Sequence, residues 1–598
     1  MRARLIAPVL VSAGLTLAMG GCSSCKKKPP VEDEVKKEKN TKKSDVPEEP
    51  LPKDLAFEAV LRDPEAVAKR AADGAGFAKE VGASPYQTLI DNLPDEKMKK
   101  AARALDPHGA ISIVITGKFE NLVDEHKWKP ENITVVSAAH LKDATLAEAA
   151  MVIITKAKDD IKSHPAKAFE GTIYEIEKNF ALAINGDLVL VGDGAEALES
   201  AGKYASYLAR KGDKQDHDLY VRIPTTELSS KARVAGAEAW AKGKKDVPPA
   251  IAAELDLLIP PSLDALADAG DASAYFDVKG DDLVMEQKMS AKGSLSKWFA
   301  KYPSGDSSAL LAMPLAESAV LYRFPGGLGP LTYSIVDETL KKSSLDAADN
   351  ADIAKFARIL GDGLGHEVVY SSNSAGLFTA LGSGGGKGTA EYFGRVELTD
   401  PAGVKSALVR FRELTEKNMK GKYDPKLTTS PYKKFGAEGE TITITSPSYG
   451  GGPSTMHDST LVWAIRGSYG YVDLCVYCAP KLDSDALDPA SKATMGNDPT
   501  AKAKIGTFPT SGVIEAAYGD IGTYIRTMLT FFGTPPTKAI PPVWAWATVS
   551  DSGLAARELI PLAAIGDITR AYFLRRYPSS YPSPLGTTMP MGTTMPPP

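Results

Sequence analysis

The spacing of apolar residues along the chain switches repeatedly between the period of a strand and that of a helix, and each switch marks an element. Leu55-Ala56-Phe57-Glu58-Ala59-Val60-Leu61 reads as a strand, and residues 62–70 as the start of a helix. Asp63 suits the N-cap, Pro64 the first helical position, and Glu65 complements the positive helix end. The same arrangement returns downstream, where the strand pattern of 391–398 runs into Thr399-Asp400-Pro401 and a helical stretch to Leu408. A strand entering Asp-Pro-x-x-Val-Lys twice suggests internal duplication.

Further echoes support it. A strand over 171–176 leads to 180–184, an Asn185-Gly186-Asp187 turn, and 188–191. Its counterpart runs from 439–444 through 461–465 and Gly467-Ser468-Tyr469-Gly470 to 471–474. Asn-Gly supplies the positive φ angles of a two-residue hairpin turn. A helical stretch follows each hairpin, at 195–208 and in the region 483–493. A second kind of hairpin occurs at 272–289, around Lys279-Gly280-Asp281-Asp282, and at 543–560, around Ser550-Asp551-Ser552-Gly553. Helical patterns also cover 229–242, 251–269 and 351–360. The expectation is an α+β fold: two copies of a hairpin-plus-helix module with mainly antiparallel sheets. The first copy takes 54–245 and 246–345, the second 346–500 and 501–577.

Ahead of this body the pattern differs. Residues 1–21 carry a basic head (Arg2, Arg4), an apolar run over 5–19 and a small-residue end before Cys22. That is the layout of a secretory signal, and the run falls short of the ~20 apolar residues needed to span a bilayer. Met19-Gly20-Gly21-Cys22 resembles a bacterial lipobox, with Met19 in place of the more usual Leu. The resemblance implies a lipoprotein, cleaved before Cys22 and held to a membrane by lipids on that residue. The alternative is ordinary secretion, with Cys22 a bystander. By resemblance to envelope sorting, Ser23 rather than Asp after the cysteine implies the outer membrane, facing the periplasm or the cell surface. Residues 22–53 mix charge runs such as Lys26-Lys27-Lys28 and Glu32-Asp33-Glu34 with prolines, and are expected to form a disordered tether. The tail, 578–598, repeats Gly-Thr-Thr-Met-Pro and is expected to be disordered too.

Composition narrows the function classes. The chain has 598 residues, 43% of them hydrophobic and 24% charged, enough for several packed units. A formal net charge of -5 offers no basic field for nucleic acid. The duplicated units behind a lipobox are similar to uncharacterised secreted families of bacterial envelope proteins, a resemblance carried by Asp63-Pro64, Asp400-Pro401 and the hairpins. It implies no catalytic residues.

Local motifs for chemistry are weak. Cys475-Val476-Tyr477-Cys478 follows a predicted strand, with Pro480 two residues on, a context for a strand-end disulfide rather than a redox pair opening a helix. Free thiols and a redox or metal role are the other readings. The Gly-rich stretch 382–389 misses the phosphate-loop spacing, so no nucleotide is expected. Ser294-Leu295-Ser296-Lys297 and Ser430-Pro431-Tyr432-Lys433 match the Ser-x-x-Lys of penicillin-recognising enzymes, but no Lys-Thr-Gly follows. The seven histidines are scattered. Asp216-His217-Asp218 reads as an exposed turn. Trp544 and Trp546 share one strand face, as core or as an aromatic platform. No catalytic residue, metal or cofactor is assigned. The expected function is a membrane-anchored, non-catalytic envelope lipoprotein acting on a protein partner or as a binding module. The alternatives are an envelope hydrolase with a scattered site and a lipid or small-molecule carrier.

Overall fold

The structure, a computed structural model, describes residues 48–568 apart from 118–132, 144, 146–160, 178–179, 225–227, 330–346, 374–388, 420–425, 448–455, 523–524 and 526–538, and stretches within 77–95, 246–267 and 477–492. The leader, the tether up to residue 47, the tail from 578 and most of the Gly-rich stretch at 382–389 therefore lie outside the described residues.

Alternating apolar positions build twenty described strands. The first ten are β1 (Leu55–Leu61), β2 (Ile111–Gly117), β3 (Ile133–His140), β4 (Lys162–Pro165), β5 (Thr172–Glu177), β6 (Phe180–Asn185), β7 (Leu188–Gly192), β8 (Leu219–Ile223), β9 (Ala269–Lys279) and β10 (Asp282–Ala291). The second ten are β11 (Ser318–Arg323), β12 (Leu364–Asn373), β13 (Ala390–Leu398), β14 (Lys426–Lys434), β15 (Ala437–Pro447), β16 (Met456–Arg466), β17 (Tyr469–Val476), β18 (Val513–Gly519), β19 (Val543–Ser550) and β20 (Gly553–Pro561). Helices are α1 (Pro64–Ala75), α2 (Pro85–Asn92), α3 (Glu96–Arg103), α4 (Ala195–Gly212), α5 (Leu228–Gly243), α6 (Gly293–Phe299), α7 (Ala347–Gly363), α8 (Pro401–Met419) and α9 (Pro499–Ile505). This is an α+β fold.

All strand pairs are antiparallel, and one order describes both tens. The first runs β4-β5-β6-β7-β3-β2-β1-β8-β9-β10. The second runs β14-β15-β16-β17-β13-β12-β11-β18-β19-β20. The edge strands β10 and β20 pair with each other, so the halves merge into a single sheet around a local two-fold seam.

This order corrects the sequence reading in three places. The Asp63-Pro64 and Asp400-Pro401 echo matches β1 to β13, whereas strand pairing makes β1 equivalent to β11 and β13 equivalent to β3. Asp-Pro is a local capping device: Asp63 accepts from Ala66 N–H and Asp400 from Gly403 N–H, and a third copy, Asp498-Pro499, caps α9 on Ala501 N–H. Second, β11 belongs to the second ten, which places the junction between Ala291 and Ser318 rather than at 345/346. Third, Asn185 stays in the strand opposite Leu188, and in that turn the positive φ falls on Gly186 (61°).

Each half has a core on the same face, here called the front. In the first, α4 lays Leu198, Ala201, Ala205 and Leu208 on Val114, Val136, Ala138 and Leu190. Each such large side chain contributes about 1.5–3 kcal/mol of apolar burial. In the second, Leu310, Met313 and Phe508 cover Leu321, Val369, Phe393, Trp544 and Trp546. The two tryptophans are 4% and 9% exposed, and Phe508 stacks on Trp546 at 4.5 Å, so they belong to the core. The back face takes α1, whose Ala71, Ala72 and Ala75 pack with Val278 and Leu562.

Candidate functional site

Helix α4 crosses β7, β3 and β2 and reaches β1 only at its edge, so β8 and β9 continue past it toward the seam. The step between helix and uncovered strands is a cleft of about 740 Å³. Cross-strand register builds its floor: Val60, Tyr220 and Tyr275 stand in line on β1, β8 and β9, with Glu58 opposite Arg222 alongside. The helix supplies the wall through Tyr204, Tyr207, Leu208 and Lys211, spaced to share one stripe. Gln215 and His217, in the connection to β8, close one end.

The polar groups are tightly engaged. Tyr204 donates its hydroxyl to Glu58 Oε2 at 2.7 Å, and Arg222 Nη1 lies 3.5 Å from Glu58 Oε1. Arg222 also donates to Asp271 Oδ2 from Nε (3.0 Å) and Nη2 (2.8 Å). Glu58 is 2% exposed, so without these partners its charge would be strongly disfavoured. Burial and the Glu58 carboxylate push the Tyr204 and Tyr220 hydroxyls far up, which keeps both phenols neutral donors. The rings form two aromatic groups, one on the wall with Tyr204 and Tyr207 at 5.8 Å, and one on the floor with Tyr220 and Tyr275 at 5.4 Å and His217 on Tyr275 at 4.4 Å. Lys211 Nζ bonds the Tyr207 hydroxyl at 3.0 Å.

A buried ionic node supports the closed end. Asp218 is 5% exposed and accepts from Arg70 (2.6 Å), Arg62 (3.2 Å) and Val278 N–H (2.8 Å), while its own N–H donates to Asp277 at 3.0 Å. Burial would raise the Asp277 carboxyl, but hydrogen bonds from Asp218 N–H, His217 and Lys279 outweigh it and hold the group below its ordinary range. Asp216-His217-Asp218 is thus an anchor with one buried member rather than the exposed turn expected. Its partners lie at 62, 70, 277 and 278, which nothing local in the sequence connects.

Other candidates scatter. Cys475 and Cys478 are joined as a disulfide at the end of β17, Cα to Cα 5.3 Å, far along the second half from the cleft. Ser294 opens the short helix α6 and gives its N–H to Asp268 at 2.6 Å, a capping contact. Ser430 and Lys433 lie on β14, where a spacing of three sends them to opposite faces. Two carboxyls with a raised pKa have a carboxylate neighbour: Glu515 beside Glu558, which register puts together on the back face, and Asp282 beside Asp281 at the β9–β10 turn, where Lys504 opposes the shift. No His/Cys/Asp/Glu group among the described residues has metal-site geometry. No described helix is long and apolar enough to cross a membrane. Cys22 lies outside the described residues.

No family model matches this chain, and no curated protein is similar to it. Solved structures similar in part include crystal forms III and I of TP0453, at 10% identity with TM-scores of 0.21 and 0.20. The alignments cover 41% and 40% of this chain and 80% and 74% of those chains. Likeness at that level assigns neither fold nor function.

Proposed function

We propose that the protein is a membrane-anchored envelope lipoprotein that binds a ligand in the tyrosine cleft without transforming it. One observation carries the reading: the cleft is preorganised for contact, its rings paired at centroid distances of 4.4–5.8 Å and its one buried carboxylate held by Tyr204 and Arg222. Groups held this way orient a ligand, whereas a hydrolase needs a carboxyl free to exchange a proton. Anchoring rests on the lipobox-like leader and Cys22. The carrier reading gains from the cleft volume, which falls within the 300–1,000 Å³ usual for small-molecule sites.

Two comparisons test this. Cys22→Ser should move the protein from the membrane fraction to the soluble fraction, and a variant still membrane-bound after a high-salt wash contradicts lipid anchoring. Envelope extract passed over immobilised wild-type and Tyr275→Ala protein should leave a species on the first alone, recovered chemically unchanged. Turnover of that species sinks the non-catalytic reading.

A further inference from the structure

The mouth of the cleft is lined by the chain itself. Glu48, Glu49, Pro50 and Leu51 border it just before β1 begins, and Glu49 Oε2 forms an ion pair with Lys203 Nζ on α4 at 2.9 Å. We propose that the cleft takes an extended, acidic, proline-containing peptide, and that residues 48–51 are its resident occupant in cis. The inference rests on the reading of the cleft as a ligand site and names the ligand class.

Three observations favour that class. Glu49 precedes Pro50 and Leu51 precedes Pro52, so both are biased to extended backbone and the segment arrives nearly straight, with little ordering entropy left to lose. Straight proline-bearing peptides are recognised by aromatic grooves whose hydroxyl donors meet the peptide carbonyls, and here Tyr207, Tyr220 and Tyr275 line the floor and wall. Charge is complementary: Glu48 and Glu49 stand at a mouth flanked by Lys203 and Lys211.

The resident segment is weakly held, as a displaceable occupant must be. Leu51 is 51% exposed, and the Glu49–Lys203 pair joins side chains 22% and 57% exposed, a class of ion pair that contributes little. Tethering compensates, because a covalently linked segment competes at an effective concentration on the order of millimolar. A partner bearing the same motif binds by displacing it.

The test uses the full-length chain and a fluorescein-labelled peptide with the sequence of residues 46–53, followed by anisotropy. Wild type should bind weakly because its own segment competes. Glu49→Lys breaks the intramolecular pair and should tighten peptide binding about fivefold, the factor that one exposed ion pair supplies. Adding Tyr275→Ala to that variant should abolish the gain, and a scrambled peptide should not bind. Equal affinity for wild type and Glu49→Lys, or no binding to either, overturns the inference. If envelope material still depends on Tyr275 in that case, the cleft remains a ligand site and the peptide class alone has failed.

Discussion

Glu286 and Arg557 hold the same position in the two halves of the chain and face each other across the seam. Each is the fifth residue after its two-residue hairpin turn, Gly280-Asp281 in one and Asp551-Ser552 in the other, and the β10–β20 register sets them directly opposite. At a local two-fold axis, identical halves would bring identical residues together. Here the residues have opposite charge, Arg557 Nε lying 3.5 Å from Glu286 Oε1 with the guanidinium 5.6 Å from the Trp546 ring. The seam is thereby specific for one half meeting the other, and a charge match of this kind disfavours like-with-like pairing.

Glu286→Arg should place two guanidinium groups on the axis and lower unfolding stability by about 1 kcal/mol, as should Arg557→Glu. The exchange Glu286→Arg with Arg557→Glu should recover most of the loss. Urea unfolding of the three variants reads this, and a double variant no better than the singles would remove the charge match from the account.

Asp218 is the second place where one side chain joins distant parts of the first half. Asp218→Ala leaves Val278 N–H without its acceptor and two arginines without their carboxylate. The expected loss is about 3 kcal/mol, the low end for breaking a buried pair, because Arg62 and Arg70 keep partial contact with water. Asp218→Asn keeps one acceptor oxygen and should lose less. Equal stability of wild type and the alanine variant would show the node to be incidental.

The strands and turns were legible in the sequence because their signals are local. Period-two alternation and a glycine at the bend identify β6–β7, β9–β10 and β16–β17, and these hairpins occupy the expected elements. The Asp-Pro echo misled for the same reason: capping chemistry repeats wherever a loop enters a helix, so it reports a joint rather than a position in a repeat. The cleft was illegible because it assembles residues from 48 to 275 through register and helix packing. Tyr220 and Tyr275 are ordinary strand residues until β8 pairs with β9.

Glu515, on the back face of the second half, gives stability an acid dependence of its own. Burial, with the Glu558 charge adding to it, pushes the Glu515 carboxyl above its ordinary range. The folded state therefore holds this proton more tightly than the unfolded chain, and ionised Glu515 is a penalty at neutral pH that vanishes on acidification. Glu515→Gln should be more stable than wild type at pH 7, by up to about 1 kcal/mol. That advantage should disappear as pH falls through the folded pKa and below the ordinary value of 4.5. An advantage independent of pH would assign it to packing instead.

The Cys475–Cys478 bond closes a very short loop, so its chain-entropy contribution is at the small end, about 2 kcal/mol. Cys475→Ala with Cys478→Ala should lower stability by no more than that and leave ligand retention by the cleft unchanged. Loss of retention in this variant would tie the second half to the site.

The central claim is that the tyrosine cleft meets a ligand in the envelope, and cross-linking from inside it is the direct measurement. A photoreactive phenylalanine analogue replaces Tyr275 in the full-length protein in living cells, with Val234, 57% exposed on α5, as the control position. Irradiation should give a discrete adduct from position 275 and none of the same mass from 234. Adducts absent from 275, or identical at both positions, would contradict the account.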